Sequence, residues 1–289
     1  MDDLILHDDV IVEQSSRKTC LFIQRACIRA LWEELITFPK AGLVSKEDCG
    51  SHRDMNADLM FRSLFSLRNY FLRMAHAGMN QEPFGALKEL GMAAEQHMML
   101  VTKGVNTHRG AIFILGLLAA AAAYRLTHQL RQFTLGEIIQ QQWGADLREH
   151  RDLVHSHGSL VRKEYHDAGG ARAQAISGFS SVYTIALPAY RITYQFTNNS
   201  SLARIQAFYA LLAQIDDTNL LYRGGLSGLN FAQQAAQQFI DQGGVFQDSW
   251  FLQTQKIHQQ FIAMNLSPGG CADLLGACLL IDQIETKEI

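Results

Sequence analysis

The chain has 289 residues, 48% of them hydrophobic and 18% charged, with a formal net charge of −3. That length and apolar share can bury one large core or two smaller ones, and the near-neutral balance excludes a global field that draws nucleic acid or anionic lipid. Any handling of phosphate must therefore be local. The start, Met1-Asp2-Asp3-Leu4, has neither the basic segment nor the continuous apolar core of a signal peptide. The longest apolar run, Ala111 to Tyr124, is shorter than the ~20 residues a bilayer span needs, so a cytoplasmic protein is expected. Its five cysteines form no C-x-x-C pair, and both seven-residue spacings lie in helical patterns, which points to reduced, structural thiols.

Four prolines in the whole chain, with many Ala, Leu, Gln and Met, favour helix almost everywhere. A first helix is predicted from about Ser15 to Thr37, ended by Phe38-Pro39, because the residue before proline leaves the α region. An irregular polar loop follows, containing Lys40-Ala41-Gly42-Leu43-Val44 and Gly50-Ser51-His52-Arg53-Asp54-Met55. Asp54 sits at a natural N-cap for a helix over about Asn56 to Arg73. Further helices are predicted over Pro83 to Thr102, carrying Glu95, and over the apolar run from Ala111. Leu135 to Val154 reads as helix with a polar face, and His150, His155 and His157 near its end read as a solvated face. Beyond Gly169-Gly170-Ala171-Arg172, helices are predicted over Gln174 to Val182, Ala186 to Phe196, Ser201 to Leu221, Gly228 to Gln242 and Ser249 to Met264. No stretch alternates convincingly with period two. An all-α protein is predicted, a multi-helix globular bundle forming one domain over residues 1–289, with polar glycine-rich loops lining one nucleotide site.

Three polar glycine motifs carry the chemistry. Gly104-Val105-Asn106-Thr107-His108-Arg109-Gly110 runs straight into an apolar helix, where free backbone N–H groups at a positive helix end suit an anion. His108 and Arg109 add side-chain donors at the same point. Asp216-Asp217-Thr218-Asn219 continues to Arg223-Gly224-Gly225, and Asn219 and Arg223 share a helix face. At least one of the two aspartates should point inward, where Arg223 or a metal would balance it, and the paired glycines should stop the helix. In Ser267-Pro268-Gly269-Gly270-Cys271-Ala272-Asp273, Ser267 and Pro268 suit a helix start, whereas two glycines in a first turn cost about 1 kcal/mol each relative to alanine. They make sense where something must approach the backbone closely, and a phosphate is the simplest candidate. With acids at Asp54, Glu95, Asp217 and Asp273, these motifs suggest a metal–triphosphate site, Mg²⁺ being held by one or two carboxylates together with phosphate oxygens.

These blocks closely resemble the triphosphoribosyl-dephospho-CoA synthases, in the family's order and from about residue 33 to the end of the chain. The resemblance rests on Lys40-Ala41-Gly42-Leu43-Val44, Gly50-Ser51-His52-Arg53-Asp54-Met55, Gly104 to Phe113, Asp217-Thr218-Asn219 with Arg223-Gly224-Gly225, and Ser267-Pro268-Gly269-Gly270 with Ala272-Asp273-Leu274-Leu275. It implies an all-helical enzyme that transfers the 5′-triphosphoribosyl group of ATP to the 2′-hydroxyl of 3′-dephospho-CoA and releases adenine. The product is the prosthetic-group precursor for the acyl-carrier subunit of citrate lyase or malonate decarboxylase, passed on to a holo-acyl-carrier-protein synthase. The Gly-Ser-His form of the loop leans toward malonate. The chain departs from the family pattern at Ala41, where proline is common and whose replacement should loosen the Lys40 loop. It also departs at Gln174 and Ile176, where glutamates are frequent, and at Ser180.

Such a transfer breaks the bond from C1′ to adenine through an oxocarbenium-like transition state. It needs a carboxylate to orient or deprotonate the hydroxyl, a proton donor for adenine, and donors for the polyphosphate. Asp54, Glu95 and Asp217 are the candidate catalytic acids and His52 the candidate proton donor. Lys40, Asn106, His108, Arg109, Asn219, Arg223, Ser267, Gly269 and Gly270 are the candidate phosphate-binding residues. Asp54, Glu95, Asp217 and Asp273 are the candidate Mg²⁺ ligands. A helical nucleoside-triphosphate hydrolase and a non-catalytic helical binding module remain alternatives.

Overall fold

A computed structural model describes residues 2–149 and 170–286, with side chains of the first helix from Ser16 onward. His150, His155 and His157 lie outside the described residues. The helices are α1 (Asp2–Leu35), α2 (Ala57–Ser66), α3 (Arg68–Met79), α4 (Phe84–Val101), α5 (Arg109–Thr127) and α6 (Leu135–Glu149). They continue with α7 (Gly170–Ile176), a π-helical turn (Val182–Ala186), α8 (Leu187–Thr197), α9 (Ser200–Gln214), α10 (Thr218–Asp241), α11 (Trp250–Ala263) and α12 (Gly269–Thr286). No strand occurs among the described residues. The protein is all-α.

α5 is the axis of the bundle. It is apolar on every face, so no face can be left to water, and it packs against α1, α3, α4, α6 and α12. Helix α5 outlasts its apolar run and is long and apolar enough to cross a membrane, yet most of it is enclosed by these neighbours. The alanines from Ala119 to Ala123 are fully buried and let α3 come close. A side chain at Gly78 would overlap the Ala120 carbonyl, and one at Gly116 would overlap the Tyr70 hydroxyl, which donates to the Ile112 carbonyl at 2.8 Å.

Five boundaries differ from the sequence prediction. The helix predicted over 56–73 is two helices divided at Leu67, where Ser66 Oγ donates to the Ser63 carbonyl and Arg68 Nε to the Phe65 carbonyl. Asn56, not Asp54, caps the first of them, accepting from the Leu59 N–H. The helix predicted through Leu221 ends at Gln214, and Asp217 opens a new one instead. Gly224 and Gly225 do not stop that helix. Gly225, at φ 60 and ψ −163, only kinks it, and α10 continues to Asp241. The segment predicted as helix through Val182 breaks at Gly178 and Phe179, both with positive φ.

Candidate active site

Three helix starts meet at one cavity of about 910 Å³: α5 at Arg109, α10 at Thr218 and α12 at Gly269. His52, Asp54, Glu95, Asn106, His108, Arg109, Asp217, Asn219, Arg223, Ser267, Gly269, Gly270 and Asp273 all line it. Lys40 does not. It is 1% exposed, and its ammonium is paired with Glu34, which reaches the cavity wall in its place. A buried ammonium needs such a counter-charge.

Asp217 ties two of the helix starts together. Its side chain is 1% exposed. Oδ1 accepts from the N–H groups of Asn219 at 2.8 Å and Leu220 at 3.3 Å, while Oδ2 accepts from Cys271 in the first turn of α12 at 2.8 Å. Helix-end N–H groups, rather than the anticipated Arg223, therefore balance this carboxylate. Burial still pushes its pKa up, against the pull of those donors. Asp216 is exposed.

The glycines of α12 serve the same junction. A Cβ on Gly269 would lie 2.9 Å from Asn219 Nδ2, and one on Gly270 would lie 2.9 Å from Asp217 Oδ2. The groups that approach this backbone closely are thus side chains of α10. The third helix start is joined likewise: Asp273 accepts from the Ala111 N–H, and a Cβ on Gly110 would overlap Asp273 Oδ2. Burial, then Glu34, then Asp217 push the Asp273 pKa well up.

Arg109 Nε lies 3.0 Å from Glu95 Oε2, and Asn106 Oδ1 accepts from the Arg109 N–H at 3.3 Å. Desolvation raises the Glu95 pKa and Arg109 opposes it. Arg223 is largely occupied as a clamp. Its Nη1 donates to the Ser51 carbonyl at 3.1 Å and the Asn265 carbonyl at 3.2 Å, and Nη2 lies 3.3 Å from His52 Nδ1. His52 Nε2 lies 2.8 Å from Ser267 Oγ. Burial and then Arg223 lower the His52 pKa, whereas Asp54, 3.5 Å away and with its side chain 62% exposed, raises it.

The Lys40 loop is firmly held despite Ala41. His258 Nδ1 lies 2.8 Å from the Lys40 carbonyl and its Nε2 lies 2.9 Å from Asp48 Oδ2. Ser51 Oγ donates to the Leu266 carbonyl at 2.6 Å, which brings the loop onto the Ser267 turn.

Among the described residues no three His, Cys, Asp or Glu side chains form a ready-made metal cage. The donor chemistry nevertheless suits a hard cation: the Asp273 carboxyl feels the charges of both Glu34 and Asp217, and Lys40 is the ammonium paired with Glu34. Sequence reasoning passed over Glu34, Ser63 and His258. Glu34 had a signal, an acid ending an apolar helix six residues before Lys40; the other two had none.

Residues 20–289 match the CitG family, described as ATP:dephospho-CoA triphosphoribosyl transferase. The chain belongs to this family. It is accordingly an enzyme of the triphosphoribosyl-dephospho-CoA synthase class. A relative from Acinetobacter calcoaceticus, named a probable 2-(5''-triphosphoribosyl)-3'-dephosphocoenzyme-A synthase, is 39% identical over 259 residues, 89% of this chain and 88% of its own. The synthase of that name from Klebsiella pneumoniae is 38% identical over 264 residues, 86% of this chain and 85% of its own. A probable synthase from Pseudomonas savastanoi pv. phaseolicola is 37% identical over 264 residues, 89% of each chain. No solved structure matches. The blocks quoted from the sequence all fall within the family match.

Proposed function

We propose that the chain transfers the 5′-triphosphoribosyl group of ATP to the 2′-hydroxyl of 3′-dephospho-CoA and releases adenine. The observation that carries this reading is the meeting of three helix starts, with Arg109 and a set of carboxylates, in one cavity. Positive helix ends and a guanidinium favour a polyphosphate, and carboxylates favour a sugar cation.

In this reading the triphosphate lies along the starts of α5 and α12. Arg109 and the neutral His108 contact it, and Asn219 and Ser267 border it. Glu95, whose affinity for a proton burial has raised, accepts the proton of the attacking hydroxyl as the bond from C1′ to oxygen forms. The bond from C1′ to adenine breaks, and the base leaves with one proton gained on a ring nitrogen. His52 is assigned that donation by its place on the cavity wall beside Asp54 and Ser267, although burial and then Arg223 lower its pKa. Asp217 and Asp273 would hold Mg²⁺, with Asp54 and Glu95 further along the wall. When bound, the ion would supply positive charge to the triphosphate.

The finer assignment is to malonate decarboxylase, supported by the Gly50-Ser51-His52 loop, with the product passed in the cytoplasm to a holo-acyl-carrier-protein synthase. The test is to incubate the enzyme with ATP and Mg²⁺, with and without 3′-dephospho-CoA, and to separate the products. Adenine released only with dephospho-CoA is expected. Release of phosphate or pyrophosphate instead would make the protein a hydrolase, and no turnover would make it a binding module.

A further inference from the structure

Among the described residues, three buried polar atoms on cavity-lining side chains have no hydrogen bond, Arg109 Nε, Gln174 Oε1 and His108 Nε2, and the last belongs to the most deeply buried residue of the three. His108 is 4% exposed, and its Nε2 is buried without a hydrogen bond. Proteins rarely leave a buried ring nitrogen unpaired, because nothing replaces the water it loses. The other nitrogen, Nδ1, lies 2.8 Å from Ser63 Oγ on α2, and Ser63 Oγ lies 2.6 Å from Thr107 Oγ1.

Proton accounting orders this row. Among the described residues Thr107 Oγ1 has one partner, Ser63 Oγ, and in one order of the row the Thr107 hydroxyl donates to Ser63. Ser63 then spends its own proton on His108 Nδ1. That makes Nδ1 an acceptor and places the ring proton on Nε2. The reverse order would turn the Thr107 proton into the cavity, which Thr107 also lines, and leave a lone pair on Nε2 in a cavity that Glu34 and Asp273 also line. Ser63 is fully buried, so water reaches the row only at Thr107 on the cavity wall. Burial and Lys40 bring the His108 pKa down to about 4, so the ring is neutral and contributes a directed hydrogen bond rather than a charge.

We infer that Ser63 is a positioning residue of the transfer reaction: its hydroxyl holds His108 in the Nε2–H form, and His108 donates that hydrogen bond to a triphosphate oxygen at the start of α5. The acceptor in this statement rests on the proposed function; the tautomer does not.

The test has two arms. In the first, ¹⁵N NMR of imidazole-labelled enzyme without substrates reads the tautomer, the His108 signals being assigned by their loss in His108→Gln. Wild type should carry its proton on Nε2. Ser63→Ala, which removes the donor to Nδ1, should shift the ring toward the Nδ1–H form, and Ser63→Thr should restore it. A wild-type proton on Nδ1, or an unchanged tautomer in folded Ser63→Ala, overturns the inference. If Ser63→Ala does not fold, Ser63→Cys, a far weaker donor, carries the same comparison. In the second arm, Ser63→Ala should raise the KM for ATP about tenfold with a smaller change in kcat. His108→Gln, whose amide N–H falls near the Nε2 position, should retain more ATP affinity than His108→Asn. The opposite ranking overturns the donor role. Absence of any transferase activity alongside an Nε2–H wild type would refute the proposed function and the triphosphate acceptor, while leaving the Ser63 relay standing.

Discussion

Replacing Asp217 by alanine removes three hydrogen bonds at once, and with them the tie between α10 and α12. Two belong to the cap of α10, from the N–H groups of Asn219 and Leu220, and one reaches across to the N–H of Cys271. A lost N-cap costs about 0.5–2 kcal/mol, and a lost hydrogen bond to a charged group about 1.5–3 kcal/mol. Relief of a buried charge offsets part of this, because burial disfavours the ionised Asp217. The net expectation for Asp217→Ala is a loss of about 2–4 kcal/mol. Asp217→Asn is milder. Its Oδ1 still caps α10, but Nδ2 turns a donor onto the Cys271 N–H, so about 1–3 kcal/mol is lost. At about 2–4 °C per kcal/mol, both variants should melt measurably below wild type by circular dichroism, alanine the lower. Adenine release should fall to background in both, since α10 and α12 no longer meet in register at the cavity. An Asp217→Ala protein that melts with wild type would refute the double cap. Near-normal turnover of Asp217→Asn with ATP and Mg²⁺ would remove Asp217 from the reaction.

Arg109→Ala should weaken ATP binding ten- to a hundredfold while sparing dephospho-CoA, because a charge-assisted contact to phosphate is worth about 1.5–3 kcal/mol. Arg109→Lys should keep much of the activity, and calorimetry showing the acceptor hit instead would move the triphosphate to the Ser267 turn. Gly110→Ala should cut adenine release at least tenfold with the fold retained, since the added Cβ overlaps Asp273 Oδ2 and pushes that carboxylate aside; unchanged turnover would show that Asp273 has no part in the chemistry. The pH dependence of stability should carry the mark of His108. Its folded pKa is depressed from 6.5 to about 4, so the unfolded chain binds the proton first. That group therefore contributes stability that is present above pH 6.5 and is lost as pH falls toward 4, up to about 3 kcal/mol. Urea unfolding at pH 7 and pH 4.5 should show a smaller acid loss in His108→Gln than in wild type, and parallel losses would refute the buried neutral ring.

Much of this enzyme is written in local chemistry. The apolar run of Ala111 to Tyr124 demands a buried helix, and Ser267 with Gly269-Gly270 marks where the last helix starts, because caps and turn residues act over three or four positions. Their order along the chain was also enough to show the family. Two of the boundaries that escaped that reading lie close together: the helix predicted over Ser201 to Leu221 runs through Asp217, which in fact begins a new one, and Gly224-Gly225 read as a stop when it is a kink. In both cases the deciding contacts come from elsewhere, Cys271 on Asp217 and Leu266 beside Gly224. Partner choice is likewise a tertiary matter. Lys40 reads as a phosphate donor until Glu34, six residues earlier, is seen to take its charge, and Arg223 reads as a counter-ion for Asp217 until Ser51, Asn265 and His52 are seen to hold it. Ser63 carries no mark at all in the sequence. A buried serine on an ordinary helix becomes a candidate for setting a tautomer only when packing brings Thr107 and His108 within hydrogen-bonding distance of it, 44 and 45 residues away along the chain. Caps and periodicity are settled by neighbours in sequence; charge pairing and proton position are settled by neighbours in space.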